Sequence, residues 1–371
     1  MKVAFVSHHP HLQMGGQRSM ALLIEHLDRR VVEPLCICPG PGELTDHLTA
    51  LGCPVVHIPL YRIKPRTLLP VWRSSRRIRA LLNERAIDIV APDAARDALT
   101  CGLAKLWTRT RMIWFVRLTS HDNLDPILER MADGFIGDSD DTRRRFSASP
   151  RVTQRFRTVV GGADLRVFHP AEERAALRRQ LGLPSDRFML VFVGQVKRAK
   201  GVIDIVDALA MISGPRPLLV IIGTPDPAGI TTEIETRARA AGTWDDIRIV
   251  GQQARVAPWL QAADLLVSGS HQDTEGMSRV LYEAMACGAV PVATDIRGNR
   301  DALTPKVGVL VPERAPGKMA EAVTALLRDP ARLRELREAG IRWARERFDI
   351  QLHARGVESF YLEMMRRWHR Q

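Results

Sequence analysis

The sequence is poor in aromatic residues and in cysteine, and it has no long apolar run. Aromatic side chains make up 5% of the 371 residues and no nucleic-acid-binding motif is present, so nucleic acid ranks last among the partners we expect. The five cysteines are an odd number with no CxxC pair, which indicates buried thiols instead of a metal site or a disulfide framework. No segment approaches the roughly 18 apolar residues of a membrane span, and the first apolar run, residues 3–6, is too short for a signal sequence. We therefore expect a cytoplasmic protein.

The charge balance is strongly basic. The formal net charge is +12, and most of the cationic side chains are arginine. Such a surface favours anionic partners, of which nucleotide phosphates and a phospholipid headgroup surface are the two that we consider first. The length of 371 residues fits two domains of ordinary size.

Short apolar runs alternate with segments of helical periodicity along the whole chain. This alternation predicts an α/β fold with parallel sheets that are covered by helices on both faces. Residues 161–170 show neither pattern and mark a domain boundary. Strands are predicted at residues 3–6, 35–38, 55–58, 87–91, 112–116 and 134–137 in the first half, and at 188–194, 218–222, 247–250, 265–267 and 290–293 in the second.

The pattern thus divides the chain into two Rossmann-like domains, residues 1–165 and residues 166–350. The remaining residues, 351–371, form a helical segment. No internal repeat and no low-complexity tract is present.

The most informative stretch is a loop between an apolar strand and a helix in the second half, residues 273–278. A helix start offers unpaired backbone N–H groups and the positive end of the helix dipole, which suit a phosphate or diphosphate. Gly276 allows the chain to approach an anion closely, and the Ser278 hydroxyl adds a donor.

Two carboxylates flank this loop, Glu275 within it and Glu283 about two helical turns further on. A carboxylate accepts two hydrogen bonds side by side, which matches the vicinal hydroxyls of a ribose. The alternative is that Glu283 is a solvated helix residue and that Glu275 is a charge at a helix N-terminus.

The run EGMSRVLYEAMACGAVPVATD, residues 275–295, resembles the donor-nucleotide site of the family 4 retaining glycosyltransferases, whose recurrent form is E-G-F-G-x-x-x-x-E-A-M-A-C-G-x-P-V-V-A-S-D. The resemblance implies the glycosyltransferase-B architecture, two Rossmann-like domains facing a cleft, in which the last helix returns to the first domain. It also implies that the N–H groups of residues 276–279, which include those of Met277 and Arg279, face the donor diphosphate. Met277-Ser278 departs from the usual Phe-Gly.

A second motif, GQVKRAKG at residues 194–201, resembles the family's G-R-L-x-x-x-K-G, whose Arg and Lys neutralise the donor diphosphate. Lys200 matches the lysine, whereas Gln195 stands where the arginine is expected. Lys197 or Arg198 could supply the missing cation. The alternative is a basic helix N-terminus without a ligand.

Weaker matches complete the donor site. Gly15-Gly16 follows the first strand, where the resemblance implies backbone donors to the phosphate, although a glycine pair is usually only a turn. Gln252 lies where family members contact the base through backbone groups.

The resemblance implies a histidine near the transferred sugar, and His121 lies at about the right place, although an exposed loop histidine is the ordinary interpretation. His8, His9 and His11 compete for this role, with His9 or His11 expected near the acceptor. The catalytic set that we predict is His121, Glu275 and Lys200. The Asp138-Ser139-Asp140 run spells D-x-D, but a helix N-cap explains it and we assign no metal.

Residues 68–85 predict a basic amphipathic helix that carries a tryptophan. This composition suits an anionic membrane surface, which would make the protein peripheral on the inner face of the membrane with a lipid-linked acceptor. The alternative is an outer helix whose apolar stripe packs on the sheet.

Together these features predict a retaining glycosyltransferase that needs no metal and no cofactor. It would move a sugar from a nucleotide diphosphate sugar to a hydroxyl of a saccharide or lipid-linked acceptor, in cell-envelope polysaccharide or glycolipid synthesis. Three alternatives stay open: a soluble or secondary-metabolite acceptor, an epimerase or hydrolase acting on nucleotide sugars, and a nucleotide-sugar binder without catalysis.

Overall fold

The computed structural model describes residues 1–12, 15–226, 229–272 and 277–369. The chain divides into two compact units, of which the first holds Met1–Gly162 and the chain from Ile350 onwards, and the second holds Ala163–Asp349. The predicted boundaries at residues 165 and 350 lie close to these divisions. No helix in the described ranges is both long enough and apolar enough to span a membrane.

The first unit contains a seven-stranded parallel sheet with the strand order β3-β2-β1-β4-β5-β6-β7. The chain order reverses at β1, so β1 and β4 are neighbours although they are distant in sequence. The strands are β1 (Lys2–Val6), β2 (Glu33–Cys38), β3 (Val55–His57), β4 (Ile89–Pro92), β5 (Arg111–Val116), β6 (Gly134–Gly137) and β7 (Phe156–Thr158).

Helices cover both faces of this sheet, as the alternating pattern predicts. In α1 the buried residues Met20, Leu23 and Ile24 recur at helical spacing and pack against the sheet core. The helices are α1 (Gly15–His26), α2 (Glu43–Ala50), α3 (Leu68–Glu84), α4 (Ala95–Lys105), α5 (Asp125–Met131), α6 (Asp140–Arg144) and α7 (Pro150–Thr153).

The C-terminal helix, Ile350–His369, belongs to the first unit. Its residues Val357, Phe360, Tyr361 and Met364 are buried in the same apolar cluster as β1 and α1. Their 3-1-3 spacing forms one apolar stripe, so the sequence pattern of this segment leads directly to its packing.

The second unit contains a six-stranded parallel sheet with the order β10-β9-β8-β11-β12-β13. Here the order reverses at β8, which separates β9 from β11. The strands are β8 (Met189–Val193), β9 (Leu218–Ile222), β10 (Ile247–Gly251), β11 (Leu265–Ser268), β12 (Val290–Thr294) and β13 (Val309–Val311).

Eight helices with described residues flank this second sheet. They are α8 (Arg174–Gln180), α9 (Val202–Met211), α10 (Ile230–Ala240), α11 (Ala257–Ala262), α12 (Arg279–Cys287), α13 (Arg297–Arg300), α14 (Pro316–Arg328) and α15 (Pro330–Arg347). The two sheets, each with helices packed on it, confirm the prediction of two Rossmann-like α/β domains.

A cluster of ion pairs lies at the amino end of β11, around the partly buried carboxylate of Asp264. Asp264 Oδ2 accepts hydrogen bonds from Arg178 Nη2 at 2.7 Å and from the Met189 backbone N–H at 2.9 Å. Its Oδ1 accepts from Arg174 Nη1 at 2.9 Å and from Arg337 Nη2 at 3.3 Å. Because these four donors come from α8, β8 and α15, the carboxylate ties three elements of the second unit together.

Candidate functional site

The loops at the carboxyl ends of β8, β9 and β10 are bonded to one another. The Val196 N–H donates to the Thr224 carbonyl at 2.9 Å, and the Thr224 hydroxyl donates to Gln252 Oε1 at 2.9 Å. Gln195 is exposed in the first of these loops. A ligand of an open parallel sheet binds at the carboxyl edge beside the point of strand-order reversal, so Gln195, which follows β8, lies where a donor nucleotide is expected. Gln252 follows the edge strand β10 and is joined to this loop through Thr224.

Lys200 ends a short 3₁₀ turn, Arg198–Lys200, and is half-buried. The loop that follows β11 packs against this turn, since the His271 N–H donates to the Ala199 carbonyl at 3.0 Å. The His271 ring is held in turn by Asp204 in the first turn of α9, at 2.9 Å. The structure thus places Lys200 beside the start of the loop that bears Glu275 and Gly276, which themselves lie outside the described residues.

A pair of glycines allows this contact. Gly201 adopts φ +65°, and a Cβ added to it would lie 1.9 Å from the Gly269 carbonyl oxygen. A Cβ added to Gly269 would lie 2.7 Å from the Gly201 carbonyl oxygen. Two backbones can approach this closely only without side chains, so both positions require glycine for the loops of Lys200 and His271 to meet.

The helix α12 carries the remaining predicted donor residues. Met277 and Ser278 are buried immediately before it, and Ser278 takes the extended N-cap conformation. Glu283 is 8% exposed, so the alternative that it is a solvated helix residue is wrong. Its Oε1 accepts a hydrogen bond from Arg279 Nη2 at 2.8 Å. Arg279 therefore contacts the carboxylate one turn away and holds its orientation.

The Cys287 thiol lies one turn beyond Glu283 on the same helix. Burial, together with the nearby charge of Glu283, raises the pKa of Cys287 well above its usual range. The thiol stays protonated at neutral pH, and all five cysteines are free and buried, as the sequence indicates.

In the first unit, α1 begins at Gly15, directly after the loop that follows β1. A Cβ on Gly16 would lie 2.7 Å from Asp93 Oδ2, whereas a Cβ on Gly15 would meet no atom of the described residues within 4 Å. Gly16 therefore serves the packing of α1 on the loop after β4. At Gly15 the space is open, as a site for close approach of a ligand requires.

The predicted histidine, His121, lies in the turn between β5 and α5. Its side chain is 77% exposed, and its Nδ1 is 3.6 Å from Asp125 Oδ2. That carboxylate is already bound by Arg145, whose Nε donates to it at 2.9 Å.

The D-x-D run, residues 138–140, leads into α6, which starts at Asp140. The Ser139 hydroxyl accepts a hydrogen bond from the Thr142 N–H at 3.2 Å, as the N-cap interpretation of this run predicts.

Sequence reasoning missed a polar cluster at the carboxyl ends of β1 and β4. His8 Nδ1 lies 2.6 Å from Asp97 Oδ2, and Arg117 Nε donates to Asp93 Oδ1 at 2.7 Å. Burial is the largest influence on Asp97 and raises its pKa to about 8. In the sequence, Asp97 stands out only as an acidic residue within the mainly apolar segment that ends at Ala104. Nothing in the sequence linked it to His8.

Two family models match adjoining parts of the chain. The model described as "Glycosyl transferase 4-like domain" matches residues 14–194, and the one described as "Glycosyl transferases group 1" matches residues 173–343. Together they extend over most of both units.

Curated relatives include the D-inositol 3-phosphate glycosyltransferase of Thermobispora bispora, which is 30% identical over 266 residues, or 69% of this chain and 60% of the relative. D-inositol 3-phosphate glycosyltransferase 2 of Catenulispora acidiphila is 32% identical over 239 residues, or 62% of this chain and 55% of the relative. The chain thus spans less than two thirds of the length of either relative.

Solved structures with the same fold include HepE of Anabaena in complex with UDP, with a TM-score of 0.86 at 17% identity over 98% of this chain and 100% of that one. Sucrose-phosphate synthase of Thermosynechococcus elongatus gives a TM-score of 0.83 at 22% identity over 98% of this chain and 99% of that one. At these identities the likeness shows the fold alone.

Proposed function

Because the chain belongs to the group 1 glycosyltransferases, we propose that it is a retaining, metal-independent glycosyltransferase that moves a sugar from a nucleotide diphosphate sugar to a hydroxyl acceptor. The observation that carries the proposal is the packing of the Lys200 turn against the loop after β11, through the 3.0 Å bond from the His271 N–H to the Ala199 carbonyl. This contact joins the Lys200 turn to the loop that leads to the second motif, which supports one donor site formed by both motifs.

The proposed chemistry is the departure of the nucleotide diphosphate, during which negative charge develops on its phosphate oxygens. Lys200 and the N–H groups at the start of α12 supply positive charge and donors at the carboxyl edge of the second sheet. Gly15 and Gly16 offer donors of the same kind at the start of α1. Glu283, held by Arg279, is proposed to accept the ribose hydroxyls.

The donor that we propose is a uridine diphosphate sugar. Support comes from HepE, a protein of the same fold whose structure holds UDP. Gln252 lies at the end of β10, where its backbone is proposed to meet the base.

The acceptor that we propose is a lipid-linked saccharide of the cell envelope, on the basis of α3. The inner face of α3 is buried through Val71, Ile78 and Leu82, as an outer helix of the sheet requires.

The other face of α3 leaves the Trp72 side chain 52% exposed, with the Arg76 guanidinium 4.9 Å from the centroid of its ring. Exposed Leu68 and Leu69 precede this pair. An exposed apolar surface with arginines suits anionic headgroups, to which each cation near the surface adds about 1 kcal/mol.

Sedimentation with vesicles tests the membrane contact. We expect the wild type to sediment with vesicles that contain phosphatidylglycerol and not with pure phosphatidylcholine, and Trp72→Ala to sediment less. Trp244→Ala, a change at a half-buried tryptophan of the second unit, is the control. Equal sedimentation of the wild type and of Trp72→Ala would show that α3 only packs on the sheet and does not bind the membrane.

The inositol phosphate in the relatives' names favours a soluble phosphorylated polyol as the second candidate acceptor.

Calorimetric titration with UDP, GDP and ADP, with and without magnesium, tests the donor site. We expect one nucleotide to bind equally well without magnesium, and Lys200→Ala and Glu283→Ala each to weaken it about 10- to 100-fold, the loss typical of a hydrogen bond to a charged group. Lys318→Ala and Glu321→Ala, which change an exposed ion pair on α14, are matched controls. Binding that neither site variant affects would overturn the assignment.

Product analysis separates the remaining activities. A transferase needs the acceptor for turnover to a new glycoside, whereas an epimerase or a hydrolase converts the nucleotide sugar alone. A nucleotide-sugar binder would bind the nucleotide in the titration and yield no product with any acceptor.

A further inference from the structure

A pair of side chains at the carboxyl edge of the second sheet joins the loop after β11 to the start of α9. His271 Nε2 and Asp204 Oδ2 are 2.9 Å apart, and the two side chains are 19% and 24% exposed. A carboxylate only accepts hydrogen bonds, so His271 Nε2 carries the proton and is the donor. Within the ranges that the structure describes, His271 is the only residue bonded to the Asp204 carboxylate.

The backbone of this loop is held independently of the pair. The Ser270 carbonyl accepts a hydrogen bond from the Thr294 hydroxyl at 2.5 Å. The Gln272 N–H donates to Glu313 Oε2 at 2.8 Å, and the His271 N–H is bonded to the turn before α9. Because these bonds use backbone atoms of the loop, they remain when the His271 ring is removed. The bond between the two side chains therefore needs an explanation other than the position of the loop.

Asp204 has a role of its own at the start of α9. The N-cap residue is Gly201, which has no side chain to bond the first N–H groups of the helix, and Asp204 is the acidic residue of the first turn. A carboxylate at this position offsets the positive end of the helix dipole. The acid thus stabilises α9 whether or not His271 contacts it.

The same position puts an anion close to the cation that is proposed to bind the donor. Lys200 precedes Asp204 by four positions, about one helical turn along the chain. An ammonium and a carboxylate attract each other more strongly where water is partly excluded, and both residues are half-buried. A carboxylate paired with Lys200 would neutralise the ammonium and would also repel the phosphate oxygens of a donor.

We propose that His271 is a positioning residue of the donor site, because its ring occupies the Asp204 carboxylate and so keeps that carboxylate from Lys200. The Lys200 ammonium can then pair with the donor diphosphate, while Asp204 keeps its role at the start of α9. The inference rests on the proposed function, since it explains how the cation of that site coexists with a neighbouring acid. All three residues belong to the second unit.

Calorimetric titration of the purified protein with UDP tests this role. If the wild type binds GDP or ADP in place of UDP, that nucleotide is the probe. We expect His271→Ala to bind the nucleotide about 10-fold more weakly than the wild type, because Asp204 then pairs with Lys200. His271→Phe, which keeps a ring but no donor, should lose as much and replaces His271→Ala if that variant does not fold. His271→Gln, whose amide can donate to Asp204, should stay within about threefold of the wild type.

The other partner of the bond separates the proposed role from a structural one. Asp204→Ala removes the same hydrogen bond together with the competing charge, so it should bind the nucleotide within about threefold of the wild type. The double variant His271→Ala/Asp204→Ala should recover to the same level. If the pair instead held the loop in place, all three variants would lose binding alike. Asp207→Ala, at an acid of the same helix that pairs with Arg237, and His169→Ala, at an exposed histidine of the same unit, are matched controls.

Weaker binding in Asp204→Ala, or no recovery in the double variant, would overturn the proposed role and assign the pair to the structure of the loop. Unchanged binding in His271→Ala and His271→Phe would also overturn it, provided that Lys200→Ala weakens binding in the same titration. If Lys200→Ala binds as tightly as the wild type, or if the wild type binds none of the three nucleotides, the proposed donor site itself is refuted and this inference falls with it.

Discussion

Asp97 is a buried aspartate and Asp264 a partly buried one. Both have arginine nearby, and their surroundings differ in one respect. The Asp264 carboxylate accepts hydrogen bonds from three guanidinium groups and one backbone N–H, at 2.7 to 3.3 Å. Within the described ranges Asp97 has one close side-chain partner, His8 at 2.6 Å, while Arg96 lies 3.7 Å away. One cluster is satisfied within the protein, while atoms in the other have no partners among the described residues.

The pKa directions follow from this difference. Burial, with the charge of Arg337 next, lowers the pKa of Arg174 to about 10, so these arginines depend on Asp264 for compensation. At Asp97 the charge of Arg96 opposes the effect of burial and does not cancel it, and the pKa of the carboxyl is raised. A buried acid with too little compensating charge titrates near neutral pH, which is typical of functional sites.

The largest effect that we expect comes from Asp264→Asn. The change leaves three partly buried guanidinium groups without their shared anion, and breaking a buried ion pair costs roughly 3–5 kcal/mol. Urea denaturation followed by circular dichroism should show a loss of this order in the free energy of unfolding. Asp207→Asn is the matched control, since Asp207 pairs with Arg237 at the surface and such a pair contributes about 1 kcal/mol or less.

If Asp264→Asn were as stable as the control Asp207→Asn, the Asp264 carboxylate would not be what stabilises its cluster, and the contrast with Asp97 would fail. It would mean that hydrogen bonds from the arginines to backbone carbonyls, such as Arg178 Nε to the Ala262 carbonyl at 2.8 Å, hold the cluster without the charge.

The second effect is a dependence of stability on pH that originates at Asp97. An aspartate in the unfolded chain has a pKa of about 3.9, whereas in the folded protein that of Asp97 is about 8. The folded state therefore binds the proton more tightly, and the free energy of unfolding should fall as the pH rises from about 4 to about 8. Asp97→Asn, which cannot ionise, should lack this contribution, so the variant should gain stability relative to the wild type across that range.

Urea midpoints measured at pH 5, 6, 7 and 8 for both proteins check the sign. Asp46→Asn provides the comparison at an exposed aspartate of α2. A difference between wild type and Asp97→Asn that stays constant with pH would show that Asp97 does not change its protonation state over this range.

Sequence reasoning predicted what is local and missed what is brought together by folding. Apolar periodicity located eleven of the thirteen described strands, and it missed β7 and β13, which have three residues each and too short a run to show a period. The Lys200 turn and α12 were found because each motif is contiguous. His8 and Asp97 are 89 positions apart, and only the neighbouring positions of β1 and β4 in the sheet bring them into contact. The glycine pair at 201 and 269 was missed for the same reason.

The smallest effect that we expect is that of Arg174→Met. Asp264 keeps Arg178 at 2.7 Å and Arg337 at 3.3 Å, and the substitution removes a cation whose pKa is already lowered by burial and by Arg337. The loss of one hydrogen bond and the relief of like-charge repulsion should nearly cancel, so the free energy of unfolding should change by less than about 1 kcal/mol. In the Asp264→Asn background the same substitution should stabilise the protein, because the arginine then has no anion to offset its charge. Urea denaturation of the two single variants and the double variant measures this coupling. A cost in the double variant would show that Arg174 acts through packing of its side chain and not through Asp264.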